Sequence, residues 1–190
     1  MKTHKQAFLT RYNPQETCER SLSLAISAAV GHNSLYCPNI TAHDKQSARG
    51  AWAEFLKAKV SEYSTIQTVE KYEMDIEDLK KMMNDKFSYC FNSQIHPIYQ
   101  TDPGFRISHS QKSLSVFFKH QWCMGKIGTP PQCPVDAIIL RHAGMQYPET
   151  KWGYVNSLDE HRRKIALLNS AKNDALLTLA EWELRKFGIN

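Results

Sequence analysis

The chain has 190 residues, 42% of them hydrophobic and 23% charged, with a formal net charge of +5. That length suits one domain with its own core, and no apolar run approaches the length of a membrane span. The positive charge is spread along the chain and forms no basic tail, so it permits a polyanionic partner without demanding one.

The opening stretch MKTHKQAFLTRYNPQ lacks the apolar core of a signal peptide, which places the expected chain in the cytoplasm, away from membranes. Cys18, Cys37, Cys90, Cys123 and Cys133 are odd in number, irregularly spaced and without a CxxC pair. Buried free thiols are expected, with no disulfide framework, no metal site and no cofactor. Asn39-Ile40-Thr41 matches a glycosylation acceptor, an accidental match in a chain without a secretion signal.

Six helical regions are predicted. The first begins at NPQETCERSLSLAISAAV, with Asn13 as N-cap, Pro14 in the first helical position and Glu16 in the first turn, and ends near Gly31. Leu22, Ala25, Ile26 and Ala29 form its apolar stripe. The second is TAHDKQSARGAWAEFLKAKVSEY, where Trp52, Phe55, Leu56, Lys59 and Val60 share a face. Gly50 inside it is read as a packing position or a close approach. Ser64 to Phe91 reads as two helical pieces, with Asp75 capping the second and Met82, Met83, Phe87 and Tyr89 in the core.

Turn signals follow at His96-Pro97 and Asp102-Pro103-Gly104. Ser108 or Ser110 then caps a helix through about Cys123, ended by Gly125 and Gly128. CPVDAIILRHAG starts another, with Pro134 in its first turn. Last, SLDEHRRKIALLNSAKNDALLTLAEWELRKFG reads as one long helix. Ser157 and Glu160 make a capping box, Gly188 ends the helix, and Ile165, Leu168, Ala175, Leu176, Leu179 and Trp182 form its core stripe. Strand patterns are nearly absent, so the expected class is all-α. Residues 1–190 form one helical domain, with a possible lobe from about 1–60 plus 155–190 and another from about 61–154.

Lys112 and Asp136 each stand near the start of a helix. The helix between Lys112 and Cys123 is about 18 Å long. The connection from Met124 to Val135 can extend roughly 40 Å, so it can return and bring the two residues side by side. Paired helix N-termini favour phosphate. A partly desolvated lysine beside a carboxylate suits nucleophilic attack at a sugar carbon through an imine. On spacing alone the plainer alternative stands beside this one: a solvated lysine, and an aspartate that only caps its helix.

CPVDAIIL resembles the Pro-Val-Asp segment that opens the catalytic-aspartate helix of helix-hairpin-helix DNA glycosylases, above all the 8-oxoguanine branch. SQKSLSVFFKHQWCMG is similar to the lysine helix before it. The likeness spans about Gly104 to Leu140 and implies that Lys112 is the nucleophile and Asp136 its carboxylate. Where the family usually carries Leu-Pro-Gly-Val-Gly, this chain reads DPGFRISHSQK, and its Gly125–Cys133 loop is longer. Ser108, His109, Ser110 and Gln111 then take over the phosphate grip, with Arg106, Lys119 and Lys126 as further contacts.

The implied activity is excision of a flipped base from double-stranded DNA by a monomer, with strand cleavage through the imine as a further step. The base is oxidised guanine, or a bulky modified pyrimidine such as the glucosylated hydroxymethylcytosine of phage DNA. The second makes the protein an antiviral defence enzyme, the first a DNA repair enzyme. Asn39, Arg49, Trp52, Trp122 and Trp152 are pocket candidates, with core packing as the alternative for each tryptophan. Two other readings remain: a helical DNA-binding protein without catalysis, and a helical adaptor with no nucleic acid partner.

Overall fold

The computed structural model describes residues 1–31, 35–93 and 103–187. They form eight α-helices: α1 (Lys2–Tyr12), α2 (Cys18–Val30), α3 (Ala42–Ala58), α4 (Val69–Phe87), α5 (Ile107–Cys123), α6 (Ala137–His142), α7 (Leu158–Ala171) and α8 (Leu179–Phe187). A 3₁₀ turn covers Ser88–Cys90, and one isolated bridge joins Tyr36 to Phe91. The described residues contain no strand, and the class is all-α. The expected turn at His96-Pro97, Asp102 of the next turn and the helix end at Gly188 lie outside the described residues.

Helix α5 runs through the middle of the molecule. Every residue on it except Val116 is buried. Helix α2 packs along it and buries Ser21, Ala25 and Ala29, small side chains that suit a close approach of helices. Helix α4 contributes Tyr72, Ile76, Leu79 and Met83, all fully buried, and α3 contributes Trp52 and Leu56. Several polar residues of α5 are reconciled with burial by hydrogen bonds. Ser113 accepts from Trp52 Nε1 at 2.9 Å, and Ser115 pairs with the Tyr72 hydroxyl at 2.6 Å.

The apolar interior falls into two clusters, and they do not follow the expected lobes. Phe8, Leu22 and Trp52 share the larger cluster with Tyr72 and Phe118. Val135, Ile139 and Trp152 share the smaller one with Leu168, Leu179 and Trp182. All five cysteines are free thiols; Cys90, Cys123 and Cys133 are buried.

Several predicted elements differ. Helix α1 was not expected, because its apolar residues form no stripe and only Phe8 and Leu9 are buried. Asn13 is therefore the end of α1, and Thr17 caps α2 by accepting from Arg20 N. The buried Asn13 side chain links the two, donating to Thr17 O and accepting from Thr17 N. Ser64–Phe91 holds one long helix, so Asp75 is interior to α4 and does not cap it. Met83 is in the core, as expected, but Tyr89 is 62% exposed. The long final helix is two, broken at Lys172–Thr178, and Leu176 of the predicted stripe is 94% exposed. Pro134 precedes α6, whose cap is Asp136.

Gly50 is exposed, and a Cβ there would meet nothing within 4 Å. It is neither a packing nor an approach position. Gly50→Ala is expected to stabilise the fold by about 0.5–1 kcal/mol, seen as a higher urea midpoint with an unchanged slope.

Candidate active site

The return from α5 to α6 is pinned at three places. Gly125 turns the chain with φ +72. Gly128 N donates to Tyr63 O at 2.9 Å, and a Cβ on Gly128 would press on the Thr65–Ile66 backbone at 3.0–3.1 Å, so no larger residue fits there. Gln132 Nε2 donates to Glu73 Oε1 at 3.2 Å, while Gln132 Oε1 lies 2.6 Å from His161 Nε2. The buried Gln111 then clasps Val135, donating to its carbonyl at 2.9 Å and accepting its N–H at 3.2 Å. The residue after that clasp is Asp136.

Asp136 performs two tasks with its two oxygens. Oδ1 accepts from Ile138 N and Ile139 N, both at 2.9 Å, and so starts α6. Oδ2 faces Lys112 Nζ at 2.5 Å. The two side chains are 8% and 18% exposed. Burial opposes the charged carboxylate, but the Lys112 ammonium and the Ile139 and Ile138 N–H groups outweigh it and hold Asp136 below its ordinary value. The Asp136 carboxylate is thus kept charged beside Lys112. Trp152 stands beside it, its ring centre 5.5 Å from Nζ.

The pair lines a cavity of about 740 Å³. Val116, the one α5 residue not fully buried, opens into it, with Pro134, Ala137 and Ile138 around the same space. Arg141, exposed, and Lys151, half-buried, stand on the cavity lining, with Tyr154. Lys119 is there too, one heptad beyond Lys112 on the same face of α5.

Lys112, Asp136, Lys119 and Trp152 are therefore brought to one cavity. The other predicted contacts are not. Arg106 and Ser108 donate to Gly153 O at 3.2 and 2.7 Å, and His109 Nδ1 accepts from Arg106 N at 3.0 Å. With Ser110 and Gln111 these side chains are interior, holding the start of α5 against residues 153–155 and 135. They present nothing to a phosphate, so that role is withdrawn from Arg106, Ser108, His109, Ser110 and Gln111. Lys119 is 6% exposed on its side chain and paired with Glu183, which withdraws it as well. Trp52 is core, edge-on to Phe105 at 4.6 Å, and Trp122 is buried beneath Lys5. Asn39 is exposed and Arg49 half-buried, and neither lines the cavity.

Glu183, Phe187, Phe8, Tyr12 and Arg141 line the cavity and were not anticipated. Glu183 left one trace in the sequence: it sits between Trp182 and Leu184 in a largely apolar run, where a buried carboxylate asks for a partner. Among the described residues, no group of three His, Cys, Asp or Glu side chains is placed to hold a metal, and no helix is long and apolar enough to cross a membrane.

The histidines give a pH signature. His161 is pushed down to about 4 by burial, then by Arg162; His120 to about 4 by burial, then by Lys119 and Arg20. The unfolded chain takes up these protons near pH 6.5, and the fold refuses them until about pH 4. Stability is therefore full above pH 6.5 and lost as pH falls through that window. Between pH 7.5 and 5 the loss is roughly 2 kcal/mol per histidine. Urea titrations at the two pH values measure it, and His161→Gln should remove about that much of the difference.

No protein-family model, curated protein or solved structure matches this chain. The likeness to helix-hairpin-helix glycosylases rests on the residues quoted for it and on nothing wider.

Proposed function

We propose that the protein is a DNA glycosylase that excises a modified base with Lys112 as nucleophile and Asp136 as its carboxylate. The observation that carries this reading is the enclosed Lys112–Asp136 pair, 2.5 Å apart on the wall of a 740 Å³ cavity. The flipped nucleotide enters the cavity, where Trp152 offers an aromatic surface beside the reacting carbon. Lys112 gives up a proton through Asp136, its lone pair attacks C1′, and the base departs with the bond's electron pair and takes the proton. The carboxylate also stabilises positive charge developing on the sugar. The resulting N,O-acetal opens to an imine as the C1′–O4′ bond breaks and a proton from the nitrogen passes to the ring oxygen, and strand cleavage at the abasic site can follow.

The volume supports a large substrate. Cavities of roughly 300–1,000 Å³ hold drug-sized ligands, and an unsubstituted base uses little of that space. A bulky modified pyrimidine such as glucosylated hydroxymethylcytosine therefore fits the reading better than oxidised guanine, and with it a role in defence against phage. Double-stranded DNA is the proposed partner, bound by a monomer in the cytoplasm. With the predicted phosphate contacts turned inward, Arg141 and Lys151 take their place beside the cavity.

The test is a base-release screen. Genomic DNAs with oxidised, alkylated and phage-type hypermodified bases are incubated with the protein, and free bases are identified by mass spectrometry. Release of one modified base is expected. Failure with every DNA overturns the enzyme, and salt-sensitive binding without release leaves a non-catalytic DNA-binding protein.

A further inference from the structure

The cavity holds a second lysine–carboxylate pair. Lys119 Nζ lies 2.9 Å from Glu183 Oε1 and 2.8 Å from Oε2. Both side chains are more than nine-tenths buried, and both line the cavity. Lys112 and Lys119 are seven residues apart on α5, which separates the two pairs by about 10 Å along the helix. Val116 lies between them, so the cavity runs along α5 with an ion pair at each end and an apolar middle.

The second pair is incompletely used. A carboxylate accepts about four hydrogen bonds, yet Glu183 Oε2 accepts no other among the described residues besides facing that one ammonium. The ammonium itself rests on Phe187 at 3.7 Å and on Phe8 at 4.6 Å from the ring centres. Beside them His120 Nδ1 is buried without a partner among the described residues, and His120 also lines the cavity. A buried ion pair is weak support for a fold, since apolar residues of the same size often serve stability as well or better. Spare acceptors walled by aromatic rings suit a ligand that brings hydrogen-bond donors.

Charge narrows the class. An anion would meet Glu183, and a cation would meet Lys119, so the occupant is neutral. Aromatic faces with carboxylate acceptors suit hydroxyl groups on a compact ring. Distance narrows it further: a base whose sugar carbon is at Lys112 does not reach about 10 Å unless it carries a substituent.

We propose that the Lys119–Glu183 end of the cavity is a subsite for a neutral, polyhydroxylated substituent of the excised base, of the size of a sugar. This rests on the glycosylase reading and assigns that reading's specificity to residues outside the reacting pair.

The experiment uses three duplexes of one sequence. The central position is an abasic site, hydroxymethylcytosine or glucosylated hydroxymethylcytosine. Borohydride trapping on the abasic duplex reports Lys112 alone, and mass spectrometry reports release of each base. The double variant Lys119→Met with Glu183→Leu keeps the volume filled without leaving a lone buried charge, and circular dichroism confirms its fold. Glu183→Gln is the second variant, retaining one acceptor. Wild type is expected to release the glucosylated base at least tenfold faster than the hydroxymethyl base. In the double variant, release of the glucosylated base should fall at least fiftyfold more than abasic trapping does, and in Glu183→Gln by an intermediate factor. Equal falls in trapping and release, or release at the wild-type rate, overturn the subsite. Wild type that traps the abasic duplex but releases no glucosylated base overturns the subsite and spares the Lys112 chemistry. No trapping by wild type overturns the imine chemistry and the subsite with it.

Discussion

Lys112→Gln should abolish borohydride-dependent trapping to DNA and lower base release by at least about 10³-fold. Glutamine keeps most of the length of the side chain and can still donate to Asp136 Oδ2, which Lys112 Nζ meets at 2.5 Å in the wild type. What it cannot supply is an amine lone pair. The fold should survive, because Asp136 Oδ1 still caps α6 through Ile138 N and Ile139 N. Asp136→Asn separates the remaining roles: asparagine caps a helix as well as aspartate but cannot relay a proton or oppose positive charge. A loss of roughly 10²–10⁴-fold is expected from removing an acid–base group. A Lys112→Gln variant that still traps on DNA would place the nucleophile elsewhere.

The largest stability effect is expected at Asp75. Its side chain is 1% exposed and accepts from Tyr63 Oη at 2.7 Å, with Lys59 Nζ at 2.7 Å and Lys71 Nζ at 2.6 Å. Burial works against its charge, but Lys59, Lys71 and Tyr63 prevail and hold its carboxyl below the ordinary value. Asp75→Ala leaves the buried Tyr63 phenol without its acceptor and leaves Lys59 and Lys71 to share Glu62. The expected cost is about 3–5 kcal/mol, a fall in Tm on the order of 10 °C at this chain length. The sign with pH follows from the lowered value. Asp75 contributes fully above the ordinary carboxylate range, and the contribution is lost as pH falls through its lower folded value. In the variant that low-pH loss should vanish. Calorimetry at pH 7 and at pH 3.5 checks both, and an unaltered Tm at pH 7 would show that the cluster stabilises nothing.

The sequence carried some of this architecture openly. Ser157 and Glu160 are the capping box expected, with Ser157 Oγ accepting from Glu160 N and Glu160 Oε2 from Ser157 N. The break between α7 and α8 was equally open to reading. Thr178-Leu-Ala-Glu181 is a second capping box, with Thr178 Oγ1 accepting from Glu181 N and Glu181 Oε2 from Thr178 N. Leucine-rich periodicity across Leu168–Trp182 masked it. Asp75 misled for a related reason: aspartate favours helix starts, and two of its three partners, Lys59 and Tyr63, lie outside α4 and are set by tertiary contact.

At the candidate site, helix starts and reach made the meeting of Lys112 with Asp136 possible to foresee. The burial of Arg106, Ser108 and Gln111 was not foreseeable, because their partners lie at Gly153 and Val135, 24–47 residues away. Glu183 is farther still from Lys119 in the chain, at 64 residues. Polar residues at a helix start look alike in sequence whether they face water or another backbone.

Helix α5 also decides how this cavity could be altered. It carries Lys112 and Lys119, and its other side chains are so closely surrounded that only Val116 has room to change. Redirecting the cavity toward a different ligand must therefore act on the opposite walls, at Leu24 and Ala28 of α2, Phe8 and Tyr12 of α1, or Ile138 and Arg141 of α6. Helix α5 is thus the fixed wall of the cavity, and α1, α2 and α6 supply the walls open to substitution.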